Sequence, residues 1–124
     1  VEVTSIIEEL KDQAHRIEAL RGFFDLKNKE NHLAELNNQL NNPKVWDDPK
    51  AAQKINKEKV HLEREISTFL QLEQSIIDLK ELFDISVEED DKDSIDEIYD
   101  EVRSNSNKLN KLEFQRMFSN SMDP

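Results

Sequence analysis

A long amphipathic helix between Pro49 and about Ile85 constrains this chain more than any other feature. No glycine interrupts the segment, and no proline follows Pro49. Apolar residues recur along it at spacings of three and four, which places them on one side of a helix. They are Ile55, Leu62, Ile66, Phe69, Leu72, Ile76, Leu79 and Phe83. At 1.5 Å per residue the helix extends roughly 55 Å, and so long an apolar stripe must be covered by other helices.

Two shorter amphipathic segments precede the long helix. Ser5 and Glu8 have the spacing of a capping box, which predicts the start of a first helix. Its apolar stripe comprises Ile6, Ile7, Leu10, Ala14, Ile17 and Leu20. Gly22 predicts a break or kink, and Asp25 is placed to cap a second helix with Leu26, Leu33, Leu36 and Leu40 on its buried face. The sequence leaves open whether these helices fold back on each other at Gly22 or continue as one kinked rod.

The connection into the long helix carries a strong start signal. Asn41, Asn42 and Pro43 end the second helix, and Asp48 before Pro49 predicts an N-cap followed by the first helical residue. Trp46, the single tryptophan, lies in this connection. We favour packing of its ring against the end of a bundle, and the alternative is a hot spot for a binding partner.

An acidic turn at residues 86–93 separates the long helix from a last one. Ser94 and Glu97 predict a second capping box. The stripe continues through Ile95, Ile98, Val102, Leu109 and Leu112, with Asn105 and Ser106 as a polar gap, whereas Phe114, Met117 and Phe118 rotate off it. This rotation predicts a helix end that packs against another domain. The predicted fold is all-α: an elongated antiparallel helical bundle of three to four helices with one long central helix.

Charge is unevenly distributed along the chain. Asp and Glu number 28 against 17 Lys and Arg, a net charge of −11 that argues against binding phosphate backbones by bulk charge. Residues 78–101 hold 12 acidic and 2 basic side chains, whereas residues 44–64 hold 6 basic and 4 acidic ones. We favour ordinary solvated helix faces. The functional alternative is a bipolar molecule whose positive end approaches RNA and whose acidic end meets a basic protein.

No catalytic, cofactor-binding or metal-ligating residue is predicted. His15, His32 and His61 lie on different segments without a second ligand at metal spacing. The cluster Asp90, Asp91, Asp93 and Asp96 lacks the glycine and final glutamate of a calcium loop, and a single glycine excludes a phosphate-binding loop. Cysteine is absent, which excludes a disulfide framework or a thiolate site. No segment is apolar enough to cross a membrane, and because a signal peptide is lacking we expect a cytoplasmic protein.

Four short stretches in register resemble the N-terminal domain of bacterial peptide chain release factor 2. They are Leu-Arg-Gly-Phe-Phe-Asp at residues 20–25, Pro-Lys-Val-Trp-Asp-Asp-Pro at 43–49, Val-Glu-Glu-Asp-Asp at 87–91 and Leu-Glu-Phe-Gln-Arg-Met-Phe-Ser at 112–119. Their order and spacing match the family along nearly the whole chain. The Val-Trp-Asp stretch favours factor 2 over its sister, factor 1.

The resemblance implies the first domain of a factor that directs peptide release at UGA and UAA codons on the ribosome. Family members read the codon with Ser-Pro-Phe and hydrolyse the peptidyl-tRNA ester with Gly-Gly-Gln, whose glutamine is methylated. Neither tripeptide occurs in these 124 residues, so the chain itself is expected not to be an enzyme. The implied partners are the GTPase-associated centre of the large ribosomal subunit and the class-2 release factor GTPase.

On this interpretation both ends look cut. Residues 1–118 would form the helical domain, and residues 119–124 would begin a linker to the codon-reading and catalytic domains. The competing interpretation is a stand-alone helical scaffold or adaptor that binds another helix along its seam.

Overall fold

The computed structural model describes the backbone of residues 2–122 and the side chains of residues 2–118. Four α-helices follow one another: α1 (Val3–Phe24), α2 (Leu26–Asn41), α3 (Pro49–Glu88) and α4 (Lys92–Met122). A 3₁₀ helix, Pro43–Asp47, joins α2 to α3. Residues 2–122 contain no strand, so the all-α prediction is confirmed.

The chain divides into two compact units. The three-helix unit comprises Val1–Phe23 and Gln71–Pro124, and the hairpin unit comprises Phe24–Leu70. The backbone of α3 is therefore shared between the two units, with its first half in the hairpin unit and its second half in the three-helix unit.

In the three-helix unit, α1 runs antiparallel to α3 and parallel to α4. Arg21 of α1 pairs with Glu73 of α3, whereas Gln13 and Arg16 reach Val102 and Glu113 of α4. The apolar stripes of the three helices meet in one buried cluster: Ile6, Leu10, Leu79, Phe83, Ile95, Ile98 and Val102. Burial of these side chains drives association of the helices, because each apolar stripe alone would remain hydrated.

In the hairpin unit, α2 runs antiparallel to the first half of α3. Lys29 pairs with Glu65, and three residues later His32 pairs with Glu58, so residue numbers rise on one helix as they fall on the other. The ring of Phe24 stacks on that of Phe69 with centroids 4.8 Å apart. The buried apolar side chains of this unit are Leu36, Ala52, Leu62, Ile66 and Phe69.

The predicted stripe of the long helix is confirmed. Leu62, Ile66, Phe69, Leu72, Ile76, Leu79 and Phe83 are all buried, and Ile55 is half-buried. The helix begins at Pro49 as predicted, and the Asp48 carboxylate accepts a hydrogen bond from the amide of Ala51. It ends at Glu88, three residues later than expected, because its last carbonyls accept hydrogen bonds from the backbone amides of the following turn.

The first two helix boundaries differ from the prediction. α1 starts at Val3, so Ser5 lies inside the helix, where its hydroxyl donates to Glu2 and not to a capping amide. α1 also continues through Gly22, and the break falls at Asp25, whose φ of 53° is left-handed. The Asp25 side chain accepts from Asn28 and makes no capping hydrogen bond to the α2 backbone.

The turn between α3 and α4 is a Schellman motif. The amide of Asp90 donates to the carbonyl of Val87, the amide of Asp91 donates to that of Ser86, and Asp90 has a φ of 52°. Asp91 then caps α4, because its carboxylate accepts from the amide and the hydroxyl of Ser94. The predicted capping box at Ser94 is therefore wrong by three residues, since α4 already begins at Lys92.

Among the described residues, none of the helices combines the length and the apolar character that crossing a membrane requires.

Candidate interaction surfaces

The basic surface, defined as Lys44, Trp46, Lys50, Lys54 and Lys57, occupies the 3₁₀ helix and the start of α3. Its loop is built locally: the Asn42 side chain accepts from the amide of Lys44 at 3.1 Å, and Pro43 follows as the first residue of the 3₁₀ helix. Asp48 ends this helix and caps α3. These contacts fix the loop backbone beside the first turns of α3.

Trp46 is anchored at one edge and exposed elsewhere. Its indole N–H donates to the carbonyl of Leu40 at 2.9 Å, which satisfies the single polar atom of the ring. The side chain nevertheless remains 59% exposed. The interpretation that Trp46 plugs the end of a bundle is therefore wrong, because the anchoring hydrogen bond holds the ring on the surface rather than beneath it.

The lysines of the basic surface project from successive turns of α3. Lys50, Lys54 and Lys57 are exposed at spacings of four and three, which places them on one face of the helix. None of the ion pairs found in the described part of the chain involves these residues or Lys44. Their charges are thus available to an anionic partner.

The acidic turn has a structural explanation. Hydrogen bonds from the Ser94 hydroxyl and amide lower the pKa of Asp91, so this carboxylate is held ionised at the start of α4, where negative charge is favourable. Asp93 lies in the first turn of the same helix. In residues 2–122, no group of three or more histidine, cysteine, aspartate or glutamate side chains could hold a metal ion.

Two of the three histidines contact a carboxylate. His32 contacts Glu58 at 2.7 Å, His61 contacts Glu65 at 3.0 Å, and His15 is exposed on α1. Each contact joins one imidazole to one carboxylate on a helix surface. The prediction that the chain carries no catalytic, cofactor-binding or metal-ligating residue stays a prediction.

The end of α4 forms a second exposed surface together with Phe23 of α1; this surface, the aromatic end, is defined as Phe23, Phe114, Arg116, Met117 and Phe118. Phe114, Met117 and Phe118 are 65%, 68% and 57% exposed, which confirms their predicted rotation off the buried stripe. Phe114 and Phe118 stack with centroids 6.3 Å apart, and the Arg116 guanidinium lies 5.5 Å from the Phe23 ring. Among the described side chains of α4, Phe114, Met117 and Phe118 are the most exposed large apolar ones.

The apolar pattern of the sequence did not predict the polar contacts inside the three-helix unit. Gln13 is fully buried and donates to the carbonyl of Val102 at 2.8 Å, while Asn105, in the predicted polar gap, donates to the Ser75 hydroxyl. Arg16 forms a two-pronged contact with Glu113 at 2.6 and 2.9 Å. The signal available in the sequence was the heptad position of Gln13 between Leu10 and Ile17.

The chain is similar in sequence to known proteins along nearly its whole length. The chain is 38% identical over 122 residues to peptide chain release factor 2 of Proteus mirabilis, and 39% and 37% identical to the proteins of that name from Aliivibrio fischeri and Haemophilus influenzae. Each alignment covers 98% of this chain and 33% of the relative, so the chain spans about a third of the length of the curated relatives it matches. A family model, described as the PCRF domain, matches residues 29–124. Because that match takes in most of α2, all of the basic surface, and α3 and α4, the chain belongs to the PCRF domain family.

Proposed function

We propose that this chain is the first, non-catalytic domain of a translation termination factor that directs peptide release at UGA and UAA codons. The observation that carries the proposal is similarity to proteins named peptide chain release factor 2 over 98% of the chain. Peptidyl-tRNA hydrolysis, and the methylated glutamine that the resemblance implies, belong on this view to the two-thirds of the relatives that the chain does not match.

The proposed task of this domain is contact with the ribosome. The basic surface supports the proposal, because its lysines take part in none of the ion pairs found among the described residues and its tryptophan is exposed on a loop whose backbone is fixed by hydrogen bonds. Lysine binds phosphate as a point charge, and an aromatic ring adds stacking or apolar contact. We propose the GTPase-associated centre of the large subunit as the ribosomal contact and the class-2 release factor GTPase as a second partner, both in the cytoplasm.

We propose residues 1–118 as the helical domain and residues 119–124 as the start of its connection to codon-reading and catalytic domains. The exposed aromatic end supports this boundary, since apolar side chains at a helix end gain stability when a following domain covers them. The backbone of α4 is described as far as Met122, and residues 123 and 124 lie outside the described residues.

The proposal is tested by the coding sequence that follows residue 124 and by the peptide-release activity of the complete protein. The frame beyond residue 124 should encode Ser-Pro-Phe and Gly-Gly-Gln. The complete protein should release formyl-methionine from ribosomes programmed with UGA or UAA, with UAG as the matched control codon. Release at UAG in place of UGA would contradict the proposed specificity, and a stop codon directly after residue 124 would favour the stand-alone adaptor.

A further inference from the structure

A surface groove lies between the second half of α3 and the first half of α4. Leu79 and Leu82 of α3 and Ile98 of α4 form its apolar part, and its volume is about 300 Å³. Leu79 and Ile98 belong to the buried core of the three-helix unit. The groove therefore rests on a packed core and is bounded by two helices that a three-residue turn joins.

The α3 side of the groove exposes one large apolar side chain, Leu82, and a second, Ile85, is exposed next to the groove without lining it. Leu82 is 49% exposed, and Ile85, one helical turn further along α3, is 51% exposed. The spacing of three residues places both side chains on neighbouring positions of one helix face. Covering them would remove apolar surface from water, so this wall favours association with another apolar surface.

The opposite wall is acidic. Glu97, Asp100 and Glu101 of α4 line the groove and are exposed. None of the ion pairs in the described part of the chain includes these three carboxylates. The surrounding segment, residues 78–101, holds 12 acidic side chains against 2 basic ones. An occupant of this groove must therefore bring positive charge together with its apolar side chains.

We propose that this groove binds a basic amphipathic helix of a protein partner. An apolar stripe on that helix would pack against Leu82 and Ile85, while lysine or arginine side chains beside the stripe would pair with Glu97 and Glu101. RNA and anionic lipid headgroups are disfavoured as occupants, because they carry the same sign of charge as the groove. The inference goes beyond the proposed ribosome contact and does not depend on it.

A pair of synthetic peptides tests the proposal directly. The first is a helical peptide of roughly 18 residues made of leucine, alanine and lysine, with leucine at spacings of three and four. The second has the same composition and charge, but its leucines are distributed around the helix so that no apolar stripe remains. Fluorescence anisotropy at about physiological salt should show binding of the striped peptide at least about tenfold tighter than binding of the scrambled one.

Matched variants of the protein locate the binding site. L82Q should weaken binding of the striped peptide about tenfold, because it removes apolar contact from the groove wall. I77Q is the control, since Ile77 lies on the same helix, is also 49% exposed and does not line the groove. E97Q/E101Q should weaken binding about fivefold, whereas E81Q/E88Q, which removes the same charge from positions outside the groove on α3, should leave it within about twofold.

The contrary results are equally specific. Equal affinity for both peptides would overturn the proposal, because it would mean that net charge alone drives binding. Equal loss in L82Q and I77Q, or in the two glutamine pairs, would place the contact elsewhere on the acidic segment and would also overturn it. Neither the comparison of the peptides nor that of the variants uses ribosomes. A negative result in these experiments would therefore not bear on the proposed function.

Discussion

Arg16 connects α1 to α4 at the surface of the three-helix unit. Its guanidinium donates two hydrogen bonds to Glu113, one to Asn110 and one to Asp12. The hydrogen bonding between Arg16 and Glu113 lowers the pKa of Glu113 and raises the pKa of Arg16. The attraction between their opposite charges reinforces both shifts, whereas desolvation by burial opposes them. The planar fork geometry matches the carboxylate, so this pair differs from an ordinary exposed ion pair.

E113Q should lower the free energy of unfolding by about 1 kcal/mol at neutral pH, a value that allows for partial solvent screening of the pair. Urea unfolding followed by circular dichroism measures the change. E101Q is the matched control, because Glu101 is exposed on the same helix and its substitution removes one charge without breaking an ion pair. A loss of equal size in the control would contradict a specific role for the contact.

The same pair predicts a pH dependence. The folded-state pKa of Glu113 lies below its unfolded value, so its contribution is fully present above the unfolded pKa near 4.5 and is lost as pH falls through the folded pKa. The stability difference between the wild-type protein and E113Q should therefore persist from pH 7 to about pH 5 and shrink below it. A difference that stays constant down to pH 3 would show that Glu113 stabilises by packing rather than by charge.

Gln13 shows where residue-scale prediction from sequence fails. Hydrophobicity selected Ala14 for the buried stripe of α1, whereas the structure buries Gln13 and exposes Ala14 and much of Ile7. The spacing from Leu10 through Gln13 to Ile17 follows the heptad, and the N–H₂ group of the amide donates to the carbonyl of Val102, whereas its Oε1 has no hydrogen-bond partner among the described residues. A polar residue at a core position is predictable only once its partner on another helix is known.

At the scale of elements, two of the three breaks between the α-helices use aspartate in the left-handed conformation. Asp25 separates α1 from α2, and Asp90 lies in the turn between α3 and α4, with φ of 53° and 52°. Sequence reasoning assigned the first break to Gly22, since glycine adopts positive φ most readily. Aspartate is among the few other residues that enter this region, and its short polar side chain gives little sequence signal by itself.

G22A should stabilise the protein by about 0.5–1 kcal/mol, because alanine has the higher helix propensity. Gly22 lies inside α1, and a Cβ added there meets no atom within 4 Å, so the substitution introduces no clash. Thermal unfolding should show a higher midpoint for G22A and a lower one for G22P, which removes a helical hydrogen bond. Destabilisation by alanine would instead support the sequence-based break at Gly22.

At the scale of the whole molecule, the fold class and the helix order were predictable because the α3 stripe leaves few alternatives. Its apolar side chains repeat over so many turns that only other helices can cover them, and seven of the eight are buried. The interaction surfaces were less predictable. The exposure of Trp46 and the acidic groove depend on how neighbouring elements pack, whereas the lysines of the basic surface were visible in the sequence as a local excess of positive charge.

The proposed ribosome contact predicts that the position of positive charge matters more than its amount. K50E/K54E/K57E in the complete protein should weaken ribosome binding about tenfold at low salt and reduce its salt dependence, because three potential phosphate contacts become repulsive. K92E/K108E/K111E is the matched control, since these lysines are exposed on α4, are not part of the basic surface, and undergo the same change of charge. Sedimentation with ribosomes at several salt concentrations measures both variants. Unchanged binding of the first variant at low salt would refute the contact, and equal weakening of the two would show that net charge alone governs binding.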